Sequence, residues 1–245
     1  MISPQEYKEL SILKRKFNGN NVFLVSSVIA MIYNSIDREL QNIPRNFRAR
    51  DGSNVTIPCQ SGCHYCCSLP VVVTEQEVIG IFTFVVQTSG GQWPEILQVV
   101  KRLGERARAA REQIGQAQDD QRRRLSIACP LLLDGRCSVY RARPLACRTY
   151  LAIDVTACRE TYENPELEMD IATVGQGMKL AMLAGQKLLE FSAVLRLPFN
   201  RSGFYDLIEA LDVFFNMNEA EIIAFLEGRA QSPLRGYRSQ ILTQK

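Results

Sequence analysis

The residues of this chain best suited to chemistry are its eight cysteines, and they fall into two tight groups. The first reads Cys59-Gln-Ser-Gly-Cys63-His-Tyr-Cys66-Cys67. The second holds Cys129, Cys137 and Cys147, with Cys158 following. No cysteine lies outside residues 59–158. Thiolates this dense on short loops suit a soft metal or an iron–sulfur cluster far better than they suit a hydrophobic core. All eight are therefore candidate ligands, with a [4Fe–4S] cluster as the favoured cofactor and zinc or mononuclear iron as the alternative. Spacing alone does not separate these, since both take four thiolates. One shared site, two sites, or one site plus reactive thiols all fit the count.

Within the first group, the two residues between Cys63 and Cys66 let both thiolates turn onto one metal. Gly62 permits the backbone conformation such a turn needs. The adjacent pair Cys66-Cys67 is less usual. In an extended segment the two side chains point opposite ways and serve different sites or opposite sides of one cluster, unless Cys67 is simply a small buried hydrophobe. In the second group, Pro144 reads as the first residue of a helix, which places Cys147 in its first turn. The helix dipole, with Arg143 and Arg148 alongside, is expected to favour its thiolate. Arg143 and Arg148 are the candidate cofactor-contacting cations. From Arg122 to Arg159 there are eight arginines against Asp134 and Asp154. That local positive field suits an anionic thiolate cluster, whereas Arg122-Arg123-Arg124 reads equally as a solvated face. No aromatic-interleaved motif supports a nucleic-acid partner, and the partner class stays open between protein and small molecule.

His64 is the only histidine. A serine–histidine–acid triad away from the first group is therefore excluded, and zinc sites are limited to four cysteines or to three with His64. The opening residues lack a basic segment followed by an apolar run, so a secretory signal is not expected. The most apolar stretch, Val22 to Ile32, is about half the ~20 residues that span a bilayer. A cytoplasmic protein without a membrane segment is expected. There thiols stay reduced, which favours metal over the disulfide framework that an even cysteine count permits.

The elements that must position these thiols read as mainly α: a helical scaffold with two loop-rich cysteine segments converging on a metal or iron–sulfur site. Ser3-Pro4-Gln5-Glu6 opens a helix to about Phe17, and a second runs from about Val22 to Leu40. Asp51-Gly52 marks a turn, and Val55-Thr56-Ile57 a short extended piece. Thr74-Glu75-Gln76-Glu77 is a capping box for a helix to about Gln87. Pro94 opens a long helix to about Arg124. Asn164-Pro165-Glu166 caps another to about Leu195, and Phe204–Phe215 and Asn218–Gly228 are the last two. Gly175, Gly177 and Gly185 are candidate points of close helix packing. The regions are 1–58 (N-terminal helices and linker), 59–163 (the cysteine-cluster region), 164–230 (C-terminal helices) and 231–245 (a flexible tail).

Cys63-His64-Tyr65-Cys66-Cys67, then Cys129-Pro130-Leu131-Leu132, Gly135-Arg136-Cys137-Ser138-Val139-Tyr140 and Arg143-Pro144 with Cys147-Arg148, resembles the CxxCxxCC (YkgJ-like) family of zinc- or iron-chelating cysteine-cluster proteins. The resemblance covers about residues 59–158. Three residues separate Cys59 from Cys63 where the family has two. More distantly the pattern resembles flagellin lysine-N-methylases, which would imply an iron–sulfur cluster and a protein-modifying or redox activity. Cys59-x-x-x-Cys63-x-Tyr65-Cys66 also resembles the radical S-adenosylmethionine signature. That enzyme class would imply a partial β/α barrel of repeated strand–helix units, which this largely helical pattern does not supply.

Overall fold

A computed structural model of the chain describes residues 4–16, 20–49, 52–117, 119–167, 169–195, 203–235 and 237. The described residues form ten α-helices and six strands of two or three residues. Near the N-terminus α1 (Pro4–Lys16) leads to α2 (Asn21–Gln41), followed by a hairpin of β1 (Asn46–Arg48) and β2 (Asn54–Thr56). The first cysteine group follows, with a 3-10 turn at Tyr65–Ser68. Next come β3 (Val72–Thr74), α3 (Glu75–Thr88), α4 (Trp93–Ile114) and α5 (Asp119–Arg124). The second cysteine group is built on the hairpin β4 (Leu132–Leu133) and β5 (Arg136–Cys137), the short α6 (Leu145–Thr149) and α7 (Val155–Glu163). The chain closes with α8 (Gly175–Val194), β6 (Phe204–Asp206), α9 (Leu207–Phe215) and α10 (Glu219–Leu226).

Helix α3 is the hub. Its capping box is complete: the Thr74 hydroxyl accepts from the Glu77 amide, and Glu77 accepts from the Thr74 amide. Val78, Ile79, Ile81 and Phe82 are fully buried, so α3 is apolar on nearly every face, as an enclosed helix must be. Gly80 lets α2 approach; a Cβ there would stand 3.0 Å from Ile29 Cγ2. The Phe82 ring lies 5.3 Å from Phe215 and 5.7 Å from Phe214, tying α3 to α9. One buried cluster draws on residues from Leu10 through Phe82, Leu131 and Leu188 to Leu234, so helices from every region share a core. Asn20 caps α2 and donates its side-chain amide to the Leu226 carbonyl (2.8 Å), which pins the end of α10 to the start of α2.

Several expectations need correction. The long helix opened by Pro94 breaks at Gly115 (φ 54°), so Arg122-Arg123-Arg124 belongs to the separate α5. Asn164 ends α7 instead of starting a helix, and α8 begins only at Gly175. Residues 172–174 instead pair with the 151–153 segment: Ile153 donates to Ala172 (3.1 Å) and Val174 to Leu151 (2.9 Å). Phe204–Asp206 pairs antiparallel with β3 before Asp206 caps α9. In the segment read as a tail, Leu234 is buried and accepts a hydrogen bond from Tyr205; residues 236 and 238–245, like Ser3 and Phe17, lie outside the described residues. Among the described residues no helix is long and apolar enough to cross a membrane. Their strands form only three two-stranded antiparallel sheets. They therefore hold no part of the parallel barrel that the radical-enzyme resemblance would require.

Candidate metal centre

The β1–β2 hairpin delivers the chain to Cys59. Arg45 donates to the Cys59 carbonyl (2.6 Å), and the Cys59 thiol points to the carbonyls of Tyr150 (3.8 Å) and Ala152 (3.7 Å). Gly62 then takes a left-handed conformation (φ 95°), and the chain turns back so that the Cys63 amide donates to Gln60. Residues 65–68 wind into a 3-10 turn, not an extended segment, which overturns the opposed placement expected for Cys66 and Cys67. Their thiols hydrogen-bond to each other. That bond lowers Cys66 to about 7 and raises Cys67, with burial raising Cys67 further.

The second group docks on the first through the backbone. The Cys129 amide donates to the Cys67 carbonyl (2.7 Å), and the Leu132 amide returns to Cys129 (2.9 Å). Asp134 and Gly135, both at positive φ, close the β4–β5 hairpin and set Cys137 opposite Leu132. From α4, Arg106 clamps that hairpin by donating to the carbonyls of Pro130 (2.9 Å) and Leu132 (2.7 Å). Helix α6 brings Cys147. Its Leu145 amide donates to Glu77 Oε1 (2.8 Å), the oxygen that also accepts from the Tyr33 hydroxyl. The expected lowering of the Cys147 thiol is not found. Pro144 is the N-cap of a single-turn helix, and burial, reinforced by Cys129, Cys66 and Cys137, pushes the thiol well upward. Burial likewise raises Cys129 to about 12, Cys158 to about 11, and Cys59 and Cys137 above their ordinary value.

Seven cysteines, Cys59, Cys63, Cys66, Cys67, Cys129, Cys137 and Cys147, line one cavity of about 440 Å³. Cys158, on α7, lines a neighbouring cavity of about 650 Å³, where it shares the wall with Cys66. Tyr65, Tyr150, Tyr162 and Arg123 complete much of that wall. His64 stacks with Tyr65 and Tyr162, at ring distances of 5.3 and 5.5 Å, and lines neither cavity. Among the described residues no three His, Cys, Asp or Glu side chains already stand in a metal-holding array. The thiols form the wall of a space.

The arginines divide by role. Arg122 is buried in an ion pair with Asp206, so the solvated-face reading fails for it. Arg148 is 1 % exposed; one terminal nitrogen reaches both oxygens of Asp37 (2.6 and 2.5 Å), and the guanidinium lies 4.2 Å over the Tyr33 ring. Arg143 stacks on Tyr140 at 3.7 Å. Both arginines line the thiol cavity, and Arg148 Nε with Arg143 Nε and Nη1 are buried without a hydrogen-bond partner. Buried donors left unpaired are costly, so these nitrogens call for acceptors. Asp37 itself lines the cavity, and Tyr33 and Glu77 stand behind it; of the three, only Glu77 has a local signal in the sequence, its capping box.

No curated protein and no solved structure shows a significant match to this chain, so the resemblance to flagellin lysine-N-methylases gains no support. Residues 58–168, which hold all eight cysteines, match the CxxCxxCC family model, described as "Putative zinc- or iron-chelating domain".

Proposed function

We propose that this metal-chelating domain holds an iron–sulfur cluster in the seven-cysteine cavity and serves a redox role. The observation that carries the reading is the coincidence, on one cavity, of seven thiols and three unpaired guanidinium nitrogens. Zinc closes tetrahedrally on four sulfurs and needs no internal room. The cavity's 440 Å³ is far above the roughly 10–15 Å³ that one water requires, room for a polynuclear group. Inorganic sulfides would accept from Arg143 and Arg148, and hydrogen bonds to cluster sulfurs are one of the levers that set potential. The cluster, when bound, supplies one-electron transfer. The chain's own residues contribute thiolates, exclude water with Leu131, Val139 and Leu151, and offset negative charge. The partner, a protein or small molecule, would approach through the second cavity, beside Cys66 and Cys158.

The test is iron, zinc and acid-labile sulfide content, with an absorption spectrum, on anaerobically purified protein. Iron with equimolar sulfide and a broad visible band is expected. Zinc without sulfide, in a colourless solution, would overturn the cluster. It would leave the second reading, a zinc- or iron-stabilised interaction module, which the Cys63-x-x-Cys66 turn on Gly62 supports.

A further inference from the structure

Helix α8 carries two apolar stripes. Leu180, Ala184, Leu188 and Phe191 are buried, on a helix that packs against α2 and α6. The second stripe is Met178, Met182, Gly185 and Leu189, which at about 100° per residue fall within about 60° of arc. Met178 is 64 %, Met182 69 % and Leu189 40 % exposed, and a Cβ on Gly185 would meet nothing within 4 Å. A surface helix ordinarily turns polar residues outward, and contiguous exposed apolar faces mark interaction sites. None of these four residues lines either cavity, and α8 lies beyond the matched segment 58–168, so the metal site gives the stripe no task.

We infer that this stripe pairs with its counterpart on a second copy of the chain, as an antiparallel two-fold dimer. The spacing selects that partner. Steps of four, three and four residues read the same from either end, so end-for-end pairing sets Met178 against Leu189, and Met182 against Gly185, of the second copy. The same alternation of steps is the one by which apolar seams mesh between helices, knob into hole. Gly185 supplies the hole: open space stands where its side chain would be, room for the more exposed of the two methionines. The flanks agree in charge. Lys179 and Glu190 lie on one side of the stripe, and like flanks meet in an antiparallel pair. Each lysine therefore comes within about 3 Å, along the axis, of facing the glutamate of the other copy. Gln186 donates to Glu190 (3.0 Å) and steadies it on that flank. One helix pair of this kind buries on the order of 1,000 Å² in total, the low end for a specific interface, so a reversible dimer in the micromolar range is expected. The dimer requires no metal.

The experiment is sedimentation equilibrium of the full chain from about 1 to 100 μM, in reductant so that disulfides between copies do not count. A monomer–dimer equilibrium is expected. Met182→Lys puts two unpaired charges at the centre of the seam and should weaken dimerisation at least about 10-fold. Leu183→Gln, on the same helix but off the stripe, should leave it unchanged. Lys179→Glu should weaken it several-fold at low salt and little at high salt. All three side chains are exposed, and far-UV circular dichroism checks that the variants fold. A chain still monomeric at the highest concentration, a dimer that Met182→Lys leaves unchanged, or open-ended association in place of a dimer would each overturn the inference. The unsubstituted chain decides the first and last of these even where a variant fails to fold.

Discussion

The amide of Cys129 donates to the carbonyl of Cys67 across 2.7 Å, so the two cysteine blocks are joined by main chain before any metal arrives. A backbone bond of this kind does not depend on thiol protonation. It fixes where two ligands begin, and it leaves their side chains free to turn inward. The residues that hold the loops therefore matter beside the sulfurs themselves.

Arg106 is the clearest of these holders. Its two hydrogen bonds, to the Pro130 and Leu132 carbonyls, brace the hairpin that carries Cys137. Arg106→Met is expected to leave the fold intact and to weaken metal retention by about 10–100-fold, the usual cost of losing a supporting contact behind a ligand. Competition with a chromophoric chelator measures this. Retention equal to that of the unsubstituted protein would mean that the hairpin holds its shape unaided.

Asp37 is 40 % exposed, yet its partner Arg148 is 1 % exposed. Removing the exposed member leaves a buried guanidinium without its counter-charge, so Asp37→Ala should cost about 3 kcal/mol in the metal-free protein, near the low end for a broken buried pair. Arg148 keeps its bond to the Arg141 carbonyl and its seat over Tyr33, which limits the loss. Urea unfolding checks the figure. A loss under about 1 kcal/mol would put the pair with ordinary surface ion pairs.

The thiols set a pH dependence with a definite sign. Burial raises Cys129 from 9.0 to about 12 and Cys158 from 9.0 to about 11. Such groups keep their proton in the folded chain after the unfolded chain has lost it. Their contribution is full below 9.0 and is lost as pH climbs to those raised values. Cys66, lowered to about 7 by the hydrogen bond from Cys67, acts oppositely: its contribution is present above 9.0 and lost as pH falls through about 7. More thiols are raised than lowered, so stability of the reduced, metal-free protein should fall from about pH 9 to pH 11, each raised thiol adding up to ~1.4 kcal/mol per pH unit. Urea midpoints across that range, with Cys129→Ser showing a shallower decline, test the sign. Metal affinity should move the other way, rising with pH because binding displaces these protons.

Local chemistry in the sequence was read well, and long-range pairing was not. The Gly62 turn and the Thr74–Glu77 capping box each depend on a few neighbouring residues, and both are found in place. Glu77 shows where such reading stops. One carboxylate oxygen closes the capping box as expected, while the other accepts from Leu145 and Tyr33, two partners distant in sequence. Residues 172–174 show the same limit: read as helix, they pair instead with residues 151–153. Cys147 was misjudged because a helix dipole is visible in sequence and burial is not.

The glycines of α8 separate two roles that look alike in sequence. A Cβ on Gly177 would stand 2.3 Å from the Thr149 carbonyl oxygen, at the end of the helix that carries Cys147. A Cβ on Gly185 would meet nothing within 4 Å. Gly185→Ala should therefore stabilise the protein by about 0.5–1 kcal/mol through helix propensity alone. Gly177→Ala gains the same propensity but must push α8 away from α6, a net loss of about 1–3 kcal/mol typical of overpacking. Because α6 moves with Cys147, Gly177→Ala should also reduce metal retention, whereas Gly185→Ala should not. Urea midpoints and metal content of the two variants, measured side by side, check both halves. Equal behaviour in the two would show that α8 is not seated on Thr149 and that the position of Cys147 is set from the Glu77 side alone.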